Sequence, residues 1–166
     1  VTANAARMYF MRKGSCGVAV QPQYTNVPFT RTFSVGETIA PANSGRGIRI
    51  VYSRSLRRLF AIEANNVVKR SVAVVAPEVA PASGGFSLAI LNNGLLFEAQ
   101  SKTGKVATSV LSIPAQCDAS GVCVDTYGPD TYGTSQAQVL GIYIPTEDLR
   151  WFVRWGQSVK TFVIVR

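Results

Sequence analysis

The sequence predicts an α+β fold: a mainly antiparallel β-sheet with a helix near the C-terminus. Three observations predict it. Apolar residues alternate with polar ones along most of the chain, and clusters of Gly, Pro and Asn separate the alternating runs at short intervals. One stretch, opened by Pro145-Thr146-Glu147-Asp148, changes to a helical period. With 166 residues the chain forms most simply one domain, 1–166, able to bury a real core. Apolar residues make up 47% and charged residues 16%, a globular balance. So low a charged fraction also suits a subunit with large interfaces.

In chain order, Val18–Val20, Arg31–Val35 and Gly47–Tyr52 are short strands between turn clusters. Residues 55–65 fit a helical face through Leu56, Leu59, Phe60 and Ile62 about as well as a strand, so both assignments stay open. Residues 67–76 (VVKRSVAVVA) are rich in β-branched side chains, which pack well on a pleated surface. Residues 77–85 (PEVAPASGG) form a loop. Phe86–Leu91 and Leu95–Gln100 then flank Asn92-Asn93-Gly94, a hairpin turn signal. Lys105–Pro114 and Ser135–Ile144 alternate like half-buried strands. Thr146 is placed to cap the helix, with Glu147 and Asp148 complementing its positive end. Leu149, Phe152, Val153 and Gly156 form one buried stripe, Arg150 and Arg154 share the polar side, and residues 159–165 return to a β pattern.

The net charge is +8, and it is concentrated. Arg46, Arg49, Arg54, Arg57, Arg58, Lys69 and Arg70 stand against Glu63 alone, giving +6 of the total within one stretch. Such a stripe suits either a polyanion or a solvated face. Histidine is absent, which removes the commonest general base and metal ligand. Cys16, Cys117 and Cys123 lack the spacing of a structural zinc site, so no metal and no cofactor is expected. Asp125 and Asp130 read as turn residues, Gly45-Arg46-Gly47 lacks the parts of a phosphate-binding loop, and no catalytic constellation is found. No apolar run is long enough to span a membrane as a helix. The N-terminal residues contain no apolar signal core, which fits either a removed signal peptide or synthesis and use in the cytoplasm.

Between two of the strands, the loop C-D-A-S-G-V-C at 117–123 carries a thiol at each end. It admits three readings: a local disulfide, two inert thiols, or cross-links to neighbouring subunits. Cys16 reads as a buried or idle thiol.

Residues 102–158 resemble the coat proteins of single-stranded RNA bacteriophages, the levivirus-like family. The resemblance runs through Lys105-Val106, Pro114 before Cys117, Gly121, Thr146-Glu147-Asp148, and Arg150, Phe152, Val153 and Arg154. Residues 1–100 match that family poorly and contain extra residues. The resemblance implies a capsid subunit that is not an enzyme, with a sheet continued across a two-fold dimer. Dimers would build an icosahedral shell, a virus-like particle, around single-stranded genomic RNA, with a maturation protein as a further partner and no membrane. The virion would assemble in the bacterial host cytoplasm, and the dimer would bind an RNA hairpin as translational repressor. On this reading Arg46, Arg49, Arg57, Arg58, Lys69, Arg70, Tyr132, Gln136 and Gln138 bind RNA, and Cys117 and Cys123 join subunits. Leu149, Trp151, Phe152, Val153 and Trp155 form the dimer interface. The alternative is a secreted or periplasmic β-sandwich subunit of adhesin or pilus type, with a local Cys117–Cys123 disulfide and a basic stripe that meets an anionic surface.

Overall fold

The structure is a computed structural model that describes residues 14–20, 29–35, 39–77, 82–91, 96–112, 114–120, 123–128, 131–135 and 141–166. The chain divides into two compact units, Val1–Ile39 and Ala40–Arg166. In the first, β1 (Gly14–Val20) pairs antiparallel with β2 (Phe29–Val35), and Cys16 lies opposite Phe33.

The second unit contains β3 (Arg49–Ser53), β4 (Arg58–Ile62), β5 (Val68–Ala73), β6 (Gly84–Leu91), β7 (Leu96–Gln100) and β8 (Val106–Leu111). These are followed by β9 (Pro114–Cys117), β10 (Cys123–Asp125), β11 (Ile142–Tyr143), helix α1 (Thr146–Gly156) and β12 (Thr161–Val165). The mainly antiparallel β fold with one helix near the C-terminus is therefore present. Residues 55–65, open between helix and strand, resolve as the β3–β4 turn followed by β4. Of the expected strand at 135–144, β11 covers Ile142–Tyr143, and residues 136–140 lie outside the described residues.

Eight strands form one sheet in the order β11-β8-β7-β6-β12-β3-β4-β5. Parallel pairs occur where β12 lies beside β3 and β11 beside β8; the other neighbours are antiparallel. β12 enters between β3 and β6, so the last segment of the sequence becomes an interior strand. Its alternation explains the placement: Phe162 and Ile164 face the main core, in register with Ile50 and Tyr52.

One face of the sheet buries a continuous apolar layer: Val110, Phe97 and Ala99, then Phe162 and Ile164, Ile50 and Tyr52, and Leu59 and Ala61. Helix α1 lays Leu149, Phe152 and Val153 into that layer. Fully burying such side chains contributes about 1.5–3 kcal/mol each, which outweighs intrinsic helix propensity in holding α1. The other face carries a smaller cluster of Val51, Phe60, Ile62 and Val165.

The outer strands of this sheet reach each other. Beyond β5 the chain continues to Val75, whose N–H donates to Tyr143 O at 2.9 Å while Tyr143 N–H donates to Val75 O at 2.7 Å. A single chain thus ties both ends of its own sheet together. The sheet expected to need a second copy for completion has, at this point, its own first and last strands as partners.

Candidate anion-binding cleft

Strands β3 and β4 are joined by a four-residue turn, Arg54-Ser55-Leu56-Arg57, and the turn is held against the C-terminal strand. Arg54 N–H donates to Val165 O at 3.1 Å, and Ser55 Oγ donates to the backbone O of Arg166 at 3.0 Å. Beside it lies a cleft of about 350 Å³, lined by Tyr52, Arg54, Ser55, Arg57, Pro77, Ser83 and Arg166. Among the described residues, three arginines line it and no Asp or Glu side chain does. Among the described residues none of the three forms an ion pair. Tyr52 is 1% exposed, and burial raises the pKa of its phenol, against the lowering effect of the Arg57 and then the Arg54 charge.

The expected RNA-binding residues are scattered. Arg46 is exposed in the loop before β3. Arg49 is 1% exposed and hydrogen-bonds internally, donating to Gly47 O at 2.7 Å, Ser44 Oγ at 3.0 Å and Asn66 Oδ1 at 2.9 Å. Arg58 donates to Ser71 O at 3.3 Å and Ser71 Oγ at 2.9 Å. Lys69 pairs with Glu63 at 3.3 Å, and Arg70 with the buried Asp148 at 2.8 Å. Only Arg57 of the expected set lines the cleft. Arg54 of the basic stripe lines it too, while Tyr52, Ser83 and Arg166 belong to no local motif.

Tyr132 is buried; burial, then Asp125, Asp148 and Tyr127, raise its pKa far above the ordinary phenol value. It presents no open ring for a base to stack on. Gln136 and Gln138 lie outside the described residues. Leu149, Phe152 and Val153, expected at a dimer interface, are buried in the chain's own core, where helix and sheet cover one another. Trp151 and Trp155 are half-buried and stack on each other, with ring centroids 5.8 Å apart, and the Arg70 guanidinium sits 5.0 Å above Trp151.

The cysteine loop is a hairpin of its own: β9 pairs antiparallel with β10, and Cys117 is directly opposite Cys123. Residues opposed in this way have Cα atoms about 4.5–5.5 Å apart, within the usual disulfide range of about 4.4–6.8 Å. Asp125, read from sequence as a turn residue, ends β10 and accepts the Thr146 N–H at 3.2 Å to each carboxylate oxygen, as well as the Thr146 hydroxyl. Thr146 is the first helical residue rather than the cap, since Pro145 occupies the cap position and brings no side-chain hydrogen bond. A carboxylate from β10 serves the helix start instead. Among the described residues no group of three Cys, Asp or Glu side chains converges as a metal site, and no helix is long and apolar enough to cross a membrane.

No protein-family model matches this sequence, and no curated protein matches it. Among solved structures, the chain is similar to that of the LD transpeptidase LdtMt1 in complex with imipenem. Identity is 15%, with a TM-score of 0.45, over 90% of this chain and 67% of that chain. The coat-protein resemblance is corrected: no family model matches the chain, and the sheet expected to need a second copy pairs its own ends through Val75 and Tyr143. The expectations tied to the resemblance are withdrawn with it. They are the icosahedral shell, the RNA and maturation-protein partners, self-dimerisation, assembly into a virion in the host cytoplasm, and the exclusion of enzymatic activity. The physical reason for the misreading is that a strand, a loop, a strand and a helix are a local order of parts, compatible with more than one tertiary arrangement. At this degree of similarity no activity carries over from the transpeptidase.

Proposed function

We propose that this chain is a β-rich domain of a secreted or periplasmic protein, of adhesin or pilus-subunit type. Cys117 and Cys123 close a disulfide on their own hairpin, and basic side chains meet an anionic surface. The observation that carries the reading is the register of β9 and β10, which sets the two cysteines opposite one another. Structural disulfides persist in oxidising compartments and are rare in the cytosol. Closing the bond transfers two protons and two electrons to an oxidising disulfide partner of that compartment. The net charge of +8 and the unpaired arginines of the cleft support an anionic counterpart.

The test is a thiol count on protein exported through a signal peptide. After alkylation without reductant, one modified cysteine, Cys16, is expected, and three after reduction, with a single-chain band on electrophoresis in both conditions. Three modified thiols before reduction, or a ladder of linked chains, would reject the local disulfide. The anionic surface is tested by retention on immobilised dextran sulfate. Replacing Arg54, Arg57 and Arg166 with Ala should lower the salt needed for elution more than replacing Arg46, Arg154 and Lys160. Equal effects would reduce the interaction to net charge and remove the cleft from it.

A further inference from the structure

We propose that the cleft beside the β3–β4 turn binds a tetrahedral oxyanion of the phosphate class, free or as a monoester, held by Arg54, Arg57 and Arg166 with the Tyr52 hydroxyl. This deepens the reading above and rests on its anionic partner.

Backbone conformation supplies the first reason. Among the described residues, three non-glycine positions have left-handed φ: Asn43 at 58°, Asn66 at 65° and Arg57 at 48°. Asparagine tolerates that region because its short side chain bonds locally; arginine has no such relief. A backbone outlier of this kind points to a function served by the side chain it carries. Here the outlier sets a guanidinium at the cleft.

Charge supplies the second. Three cations elsewhere find acids: Lys69 has Glu63, Arg70 has Asp148 and Arg150 has Glu147. The cleft brings three arginines together, with no Asp or Glu side chain among the described residues of its lining. Their mutual repulsion is relieved when an anion enters, so the occupant is selected by charge before shape.

Tyr52 supplies the third. Its side chain is almost wholly buried and it lines the cleft, where a phenol hydroxyl can donate to the oxygen of an occupant. The Arg54 and Arg57 charges act on that phenol, which places them around the same spot.

The donors decide the ligand class. Each guanidinium offers a planar fork that matches phosphate or carboxylate oxygens. Three forks and a hydroxyl exceed what two carboxylate oxygens accept, whereas a phosphate dianion offers more oxygens and twice the charge. The turn is already tied to Val165 and Arg166, so little ordering accompanies binding.

The experiment is a titration of the oxidised protein with sodium phosphate at neutral pH and low chloride, followed by calorimetry and amide NMR, with acetate as control. Saturable binding roughly ten-fold or more tighter for phosphate than for acetate is expected. Shifts should centre on residues 52–57 and the C-terminal end of β12. Arg57→Asn keeps a residue that accepts the left-handed backbone, so it should weaken binding roughly ten-fold without lowering the melting temperature. Tyr52→Phe should weaken it several-fold. Glycerol 3-phosphate in a parallel titration identifies the source: tighter binding than phosphate assigns the site to an ester, weaker binding to the free ion. Absence of saturation, equal affinity for acetate, or unchanged binding by Arg57→Asn would overturn the site. Retention on dextran sulfate without phosphate saturation rejects this inference and leaves the anionic-surface reading; phosphate saturation without retention does the opposite.

Discussion

Arg49 and Asp148 illustrate how two charged side chains came to be buried for different ends. Arg49 ties the loop at 44–47 to the turn at Asn66, with three acceptors satisfied by one guanidinium. Burial lowers its pKa, but a guanidinium's ordinary value is so high that the group stays a cation. Arg49→Ala strands those acceptors, and a loss of roughly 3 kcal/mol is expected in urea unfolding. Asp148 is raised above the ordinary 3.8 by burial, against the Arg70 charge and hydrogen bond. The folded chain therefore holds this proton more tightly than the unfolded chain. The sign follows: this group's contribution weakens as pH rises from below 3.8 through its raised folded value, and is level above it. In Asp148→Asn, urea midpoints measured across that window should lose this downward component with rising pH.

Among the elements, α1 carries the clearest local signal and the least obvious support. Its apolar stripe is readable at 149, 152 and 153, and its acidic first turn at Glu147 and Asp148. The residue that serves its N-terminus, Asp125, lies 21 positions upstream on β10. Asp125→Ala should cost about 1 kcal/mol, the usual worth of an N-terminal cap, measured as a lower thermal midpoint. Gly156 ends the helix with space beside it: a methyl group there would meet Ile50 Cδ1 at 3.6 Å and Leu88 Cδ2 at 3.9 Å, ordinary contact distances. Gly156→Ala is expected to stabilise the protein by about 0.5–1 kcal/mol through reduced unfolded-state freedom and improved helix propensity. A lower melting temperature for that variant would mean that the contacts with β3 and β6 are tighter than the structure indicates.

At the scale of the whole molecule, the decisive contact is the pair of hydrogen bonds between Val75 and Tyr143. If those bonds close the sheet within one chain, the amides of Val75 and Tyr143 should exchange with deuterium as slowly as those of β3 and β12. Fast exchange at both positions, at a concentration where the protein is monomeric, would show the sheet ends to be open. The same scale explains why the cationic stripe of the sequence is not one surface. Arg49 starts β3, Arg57 stands in the β3–β4 turn and Arg70 lies on β5, so, though near in sequence, they reach a buried loop, a cleft and the helix.

By itself the sequence determined what depends on near neighbours. The period-two runs fixed most strands, the change of period at 146 fixed the helix, and the two cysteines bracketed a hairpin whose backbone register places their positions opposite one another. Tertiary structure alone decided the insertion of β12 between β3 and β6, the approach of Val75 to Tyr143, and the meeting of Arg166 with Arg54 and Arg57. Those contacts join segments far apart in the chain, and their energy comes from completing one shared apolar layer. No local pattern carries that term, because it belongs to all the strands at once.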